Sequence, residues 1–295
     1  MGSHTPRQKA FVVGHPIDHS RSPLIHGHWL ARHRIEGEYV KKDCDPEAFA
    51  VFLASLKEQG MIGGNVTLPF KEQAFDLVDA CTDTAQRLGA VNTLWFENER
   101  LIGDNTDGYG FLANLDHRAP GWDAIEKRER PVLVLGAGGA ARAIVCGLQD
   151  RGFRSITVAN RTESRAKTML DDLQVTANVA SPDAITDHLA NIGTLINTTS
   201  IGMGDNAVPF GLDATALSAC HPDAVVTDIV YAPLVTPLLD AARANGLTTV
   251  DGLGMLLHQA VPGFENWFGP RPKVDTALRN VILQDLGYPP DPAPS

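Results

Sequence analysis

"PVLVLGAGGAARAIVCGL", residues 131–148, decides the fold. Four apolar residues, Val132 to Leu135, run into three glycines within four positions, and a pattern of small and apolar residues at helical spacing follows. A short apolar run, a glycine turn and a helix make the opening of a βαβ unit. The G-x-G-x-x-A spacing lets the chain turn tightly at Gly136, bring backbone N–H groups up to a pyrophosphate at Gly138 and pack the helix on the strand at Ala141. Such a loop is a weak signal by itself. Here a strand precedes it, a helix follows, and the unit continues into "SITVAN", residues 155–160, which is the context a dinucleotide site needs.

Downstream, "TLINTTS", "AVVTDIVY" and "TTVDG" read as further strands, separated by Ala-rich or Leu-rich helical segments. That alternation predicts a parallel sheet with helices on both faces. Upstream, "KAFVVG", "GEYVKK" and "MIGGNVT" read as strands, with helices expected over 23–33, 46–59 and 70–79. "VNTLWFENERLIGDN" reads as a hairpin turning around Glu97, Asn98 and Glu99. The pattern changes near Gly108. The fold class is therefore α/β with two α/β domains, a substrate domain and a Rossmann-type doubly wound dinucleotide domain, with the active site in the cleft between them. The boundaries are 1–106 plus 253–295 for the first and 107–252 for the second. The final "PPDPAPS" reads as a disordered tail.

At 295 residues and 43% hydrophobic composition, the chain can build two ordinary cores. Its formal net charge of -10 repels phosphate backbones and anionic membranes, which argues against both as partners. The four cysteines, Cys44, Cys81, Cys146 and Cys220, lie in segments that read as helix or helix edge. They show no C-x-x-C pair and fit free thiols in a reducing compartment. No apolar stretch reaches membrane-spanning length and "MGSHTPRQKAF" has no signal-peptide core. The expected location is the cytoplasm, and the expected assembly is a monomer or homodimer.

The end of the second strand of the βαβ unit selects the dinucleotide. An NAD site usually places Asp or Glu there, whereas this chain reads "ANRTESR", residues 159–165. Asn160 carries no charge. Arg161 and Arg165 can pair with a 2′-phosphate and Thr162 can donate a hydroxyl, so NADP is the better electrostatic match.

Two stretches of the first domain carry further chemistry. "GHPIDHSRSPLIHGHW", residues 14–29, sets Ser20 and Ser22 at a helix entrance with Pro23 as first helical residue. Paired hydroxyls there suit a ligand carboxylate or polyol, beside their ordinary capping role. Its four histidines lack a zinc-binding spacing, so no metal site is expected. "GGNVTLPFK", residues 63–71, ends on Lys71, which alone would read as a solvated residue on a helix opened by Pro69.

With "LGAVNTL" and "GDNTDGYG", which contribute Asn92 and Asp107, these stretches make the chain resemble the shikimate dehydrogenase family, the shikimate and quinate dehydrogenases. The matching pieces are "GHPIDHSRSP", "NVTLPFK", "GAVNTL", "DNTDG", "GAGGAARA", "NRTESRA", "DIVYAPLVTPLL" and "DGLGMLLHQA". They occur in the family's order over residues 11–268, with Gly27 a departure where the family often has Asn. The resemblance implies that Ser20 and Ser22 hold a substrate carboxylate and that Thr67, Asn92, Tyr231 and Gln259 hold ring hydroxyls. It implies Lys71 and Asp107 as the catalytic pair, which also touch substrate. It gives Gly136, Ala137, Gly138, Gly139 and Ala140 to the pyrophosphate, and Asn160, Arg161, Thr162, Ser164 and Arg165 to the adenosine 2′-phosphate. Asp83, Ile229 and Gly252 fall near the cofactor.

The implied activity is NADP-dependent reduction of 3-dehydroshikimate to shikimate, in aromatic amino acid and chorismate biosynthesis. Lys71 serves as general acid or base and Asp107 orients it, with Asp104 a rival carboxylate three residues earlier. Quinate or aminoshikimate are alternative substrates within the family, and "SRS" leans toward shikimate. A non-catalytic metabolite sensor would be expected to lose Lys71 or Asp107.

Overall fold

The computed structural model describes residues 7–204 and 207–292. The chain forms two compact units. One runs to Thr106 and resumes at Gln259, and the other is Asp107–His258.

The first unit holds six strands: β1 (Gln8–Gly14), β2 (Gly37–Asp43), β3 (Met61–Val66), β4 (Ala80–Cys81), β5 (Thr93–Glu97) and β6 (Arg100–Asp104). They lie in the order β2-β1-β3-β5-β6-β4. β1 is parallel to both β2 and β3, whereas β3–β5 and β5–β6 are antiparallel. The apolar run of β1 is buried because both faces of its sheet are covered. On one face Phe11, Val13, Phe49, Leu53, Leu56, Val66 and Phe70 form an apolar core. On the other, His26 and Trp29 from the helix Ser22–His33 meet Phe264 and Trp267 from the helix Ala260–Phe268. The Trp267 indole N–H donates to the Leu94 carbonyl at 2.7 Å, fastening that helix to β5.

The expected hairpin is β5–β6. Glu97 pairs with Arg100, leaving Asn98 and Glu99 as a two-residue loop with both φ values positive, at 47° and 67°. This is the twist-compatible hairpin geometry that usually takes Gly second. Glu99 is held there by Lys57, which donates to its carbonyl and its carboxylate at 2.6 and 2.8 Å.

The second unit is a six-stranded, wholly parallel sheet of β7 (Val132–Leu135), β8 (Ile156–Ala159), β9 (Asn178–Ala180), β10 (Thr194–Asn197), β11 (Val225–Asp228) and β12 (Thr248–Val250). The order β12-β11-β10-β7-β8-β9 is that of a doubly wound dinucleotide fold, with the switch of direction between β7 and β10. Every residue of β7, β8, β10 and β11 is buried.

Several expectations are corrected. The return to the first unit falls at Gln259, not at 253. The helix Leu253–His258 packs on the helix Asp107–Arg118 of the second unit, and Asn114 Nδ2 donates to the Asp251 carbonyl at 2.8 Å. Cys81 lies in the strand β4 and Cys44 follows β2, so the helical placement of the cysteines holds only for Cys146 and for Cys220, just past a helix. β4 and β9, two and three residues long, escape notice because so few residues show no alternation. The segment expected as helix 46–59 is a 3₁₀ turn followed by the helix Phe49–Ala54. The next helix is Lys71–Leu77, with Pro69 outside it, and Ser22 rather than Pro23 opens the first helix.

Of the tail expected to be disordered, residues 293–295 lie outside the described residues. Asp291 is anchored by Arg279 Nε at 2.7 Å and bonds Asn280 through its backbone N–H at 2.8 Å. The expected absence of a signal segment falls partly on residues 1–6, also outside the described residues. No helix among the described residues is long and apolar enough to cross a membrane.

Candidate active site

In the first unit the implied substrate residues meet at the carboxyl ends of parallel strands. Pairing of β1 with β3 continues past both ends: Thr67 N–H donates to the Val13 carbonyl at 2.9 Å and His15 N–H to the Leu68 carbonyl at 3.1 Å. The turn carrying Ser20 and Ser22 therefore stands beside the turn carrying Thr67 and Lys71. Within it the Ser22 N–H reaches Ser20 Oγ at 3.4 Å. Val66 N–H donates to the Asn92 carbonyl at 2.9 Å and Val91 N–H to the Lys71 carbonyl at 2.8 Å, bringing Asn92 to the same place. Thr106 completes the group. Its N–H donates to Asn92 Oδ1 at 2.9 Å and its hydroxyl to the Gln259 carbonyl at 2.8 Å.

Ser20, Ser22, Thr67, Lys71, Asn92 and Gln259 thus share one end of one sheet. The carboxyl ends of strands are where ligands of open α/β sheets bind. The rival carboxylate is occupied: Asp104 accepts from the Thr82 hydroxyl and from Asn105 N–H. Asp107 follows Thr106 directly and begins the helix Asp107–Arg118. Asp83, exposed, begins the helix Asp83–Leu88 of the first unit, where Thr82 caps it by accepting from Ala85 N–H at 3.2 Å.

Of the four histidines near the serine turn, His15 pairs with Asp43 at 2.9 Å. His26 is wholly buried, stacked on Tyr39 with ring centroids 4.0 Å apart. Burial lowers its pKa to about 3, so it is neutral at physiological pH. Among the described residues no group of three or more His, Cys, Asp or Glu side chains is arranged to hold a metal.

In the second unit Gly136 has φ 107°, and a Cβ there would stand 2.7 Å from Thr198 Oγ1. Only glycine tolerates that turn and that approach. Its N–H donates to the Ala159 carbonyl at 2.8 Å, which sets the loop beside the end of β8 and hence beside Asn160. At Gly138 and Gly139 nothing lies within 4 Å of where a Cβ would project. The approach to the first turn of the helix Gly139–Asp150 is open, as a pyrophosphate requires. Asn160 Nδ2 donates to the Thr162 carbonyl at 2.9 Å, shaping the turn that leads into Arg161, Ser164 and Arg165, all exposed. Neither arginine is in an ion pair among the described residues, so both guanidinium groups are available to a phosphate. The residues present fit NADP.

Ile229, Tyr231 and Gly252 cluster at the carboxyl end of β11. A Cβ on Gly252 would lie 2.3 Å from the Ile229 carbonyl oxygen, so the two segments meet backbone to backbone. Their loop is pinned by Asp228, which accepts from Asn197 Nδ2 at 3.0 Å, Val230 N–H at 3.0 Å and Thr236 Oγ1 at 2.7 Å. Burial pushes the Asp228 carboxyl above the usual carboxylate range against those three donors. Sequence reasoning missed Asp228, Asn197 and Thr236, and in the first unit Tyr39, Asn65 and Thr93. The available signal was a carboxylate or amide inside an apolar strand, as in "AVVTDIVY", because a buried polar group persists only with partners.

Fold and site together define a two-unit α/β protein whose second unit is a Rossmann-type dinucleotide fold suited to a 2′-phosphorylated cofactor. Residues 12–94 match the family described as shikimate dehydrogenase substrate binding domain, and residues 123–253 match shikimate / quinate 5-dehydrogenase. The chain belongs to the shikimate dehydrogenase family, a family of oxidoreductases. It is 54% identical over 280 residues to the shikimate dehydrogenase (NADP(+)) of Mesorhizobium japonicum, covering 95% of this chain and 97% of that one. It is also similar to the crystal structure of shikimate 5-dehydrogenase from Thermus thermophilus in complex with NADP(H) and shikimate. There the identity is 35%, the TM-score 0.78, and the coverage 90% of this chain and 95% of that one. The quinate dehydrogenase from Corynebacterium glutamicum in complex with NAD is 28% identical, with a TM-score of 0.84 and coverage of 94% and 99%.

Proposed function

We propose that the protein reversibly reduces 3-dehydroshikimate to shikimate with NADPH. The observation that carries this reading is the gathering of Ser20, Ser22, Thr67, Lys71, Asn92 and Gln259 at one end of the first unit's sheet, the donor set that a carboxylated polyol demands. Ser20 and Ser22 hold the carboxylate. Thr67, Asn92, Tyr231 and Gln259 bind ring hydroxyls. Asn92 Oδ1 accepts from Thr93 and Thr106, which holds the side chain in one orientation.

When bound, NADPH supplies the hydride that reduces the carbonyl carbon. Gly136 to Ala140 hold its pyrophosphate, and Asn160 to Arg165 hold its 2′-phosphate, with Asp83, Ile229 and Gly252 at its edges. As charge develops on the carbonyl oxygen, the Lys71 ammonium stabilises it and donates the proton, while the Asp107 carboxylate orients the ammonium. In the oxidative direction neutral Lys71 removes the hydroxyl proton. Asp104 is spent on Thr82 and Asn105, which supports Asp107 as the partner. The cytoplasm is the fitting compartment for this chemistry.

The deciding measurement is absorbance at 340 nm with shikimate, quinate and aminoshikimate, each with NADP and NAD. Shikimate with NADP is expected to give the highest kcat/KM by at least about tenfold. A higher value for quinate or aminoshikimate would move the substrate assignment, a preference for NAD would overturn the phosphate clamp, and no turnover of any pair would return the sensor reading.

A further inference from the structure

A second layer of polar groups lies behind the substrate residues, sealed from solvent. The Tyr39 hydroxyl, on β2, donates to Asn65 Oδ1 on β3 at 2.6 Å. Asn65 Nδ2 donates to Thr93 Oγ1 at 3.2 Å and to the Asn92 carbonyl at 3.1 Å. Thr93 Oγ1 in turn donates to Asn92 Oδ1 at 2.8 Å. All four residues are at least 93% buried. Every donor in this series points the same way, from Tyr39 towards Asn92. The Tyr39 ring stacks on His26 at a centroid distance of 4.0 Å, with Trp267 packed beside both at 5.8 Å from Tyr39, so the ring is held in place.

We propose that Tyr39 is a positioning residue: acting through Asn65 and Thr93, its hydroxyl fixes the side chain of Asn92. The inference rests on the substrate reading above. Buried polar groups joined in one series hold a single arrangement, because breaking one link strands the next donor or acceptor away from water. Tyr39 touches neither reacting atoms nor cofactor, so its loss should loosen substrate binding and leave the chemical step intact.

The test is Tyr39→Phe, which keeps the ring stack and removes only the oxygen, beside Thr93→Val, which breaks the same series one link from Asn92 at constant shape. In the full-length enzyme each is expected to raise the KM for shikimate about tenfold, with kcat within about threefold and the KM for NADP unchanged. The double variant is expected to be no worse than the poorer single one, because both cut one series. A merely structural role would lower the melting temperature and leave the KM for shikimate alone, and that result, or independent multiplying effects, would overturn the proposal. Should Tyr39→Phe fail to fold, Thr93→Val decides by the same split. Ser22→Ala separates the two layers of inference. If it leaves KM unchanged, the substrate reading falls; if it raises KM while Tyr39→Phe and Thr93→Val do not, only the positioning role falls.

Discussion

Lys71 is the first residue of the helix Lys71–Leu77, where the positive end of the helix dipole disfavours a cation by roughly 0.3–1 kcal/mol. An acid or a capping residue would serve the fold better there, and a locally unfavourable charge marks a position kept for chemistry. Lys71→Ala should lower kcat by about 10²–10⁴-fold with KM little altered. A kcat within a few-fold of wild type would remove Lys71 from the catalytic pair. At this scale the sequence was most readable where a motif surrounds the residue. Lys71, Asn92 and the glycines of 136–139 stand in such motifs, whereas Tyr39 and Asp228 depend on partners from distant strands that no local pattern reveals.

The helix Ser22–His33 carries a second burden of burial. His26 sits at 0% exposure among aromatic rings, its pKa held at about 3 by desolvation. The unfolded chain binds a proton there near pH 6.5. The stability His26 contributes is full above pH 6.5, falls as pH drops and is lost by about pH 3. His258, in the helix Leu253–His258, behaves alike, lowered to about 4 by burial and by the neighbouring His117. Each histidine adds up to roughly 1.4 kcal/mol per pH unit within its window. Between pH 6.5 and 5 the urea midpoint reported by tryptophan fluorescence should fall, and His26→Phe should lose about 2 kcal/mol less over that range. Equal slopes in the two proteins would show that His26 titrates normally. Element types were legible where strands are long and apolar or where turn chemistry is strong. β4 and β9 are too short to show a period, and the true end of the second unit is set by packing of Leu253–His258 on Asp107–Arg118, which composition does not record.

The two units differ in how the chain builds them. The first is assembled from two separated segments, whereas the second, Asp107–His258, is one uninterrupted stretch with a complete six-stranded sheet. Its core includes Leu133, Leu135, Ile185, Leu189, Leu195, Val226 and Leu238, all at most 1% exposed. Its opening helix is joined to the rest from within: Arg151 bridges Asp116 and Asp123, each at 2.8 Å, and Trp122 stacks on Phe153. A contiguous stretch of this size with its own core has what independent folding requires. Residues 107–258 expressed alone should unfold cooperatively in urea and retain the phosphate clamp. Adding 2′,5′-ADP at about a hundred times its Kd should stabilise the fragment by about 2.7 kcal/mol. Adenosine 5′-phosphate at the same concentration should do much less, and Arg161→Gln should erase most of the difference, since the 2′-phosphate then loses a guanidinium partner. Equal stabilisation by the two nucleotides would place the 2′-phosphate away from Arg161 and Arg165. A fragment without a cooperative transition would mean that the second unit depends on the first for its folding.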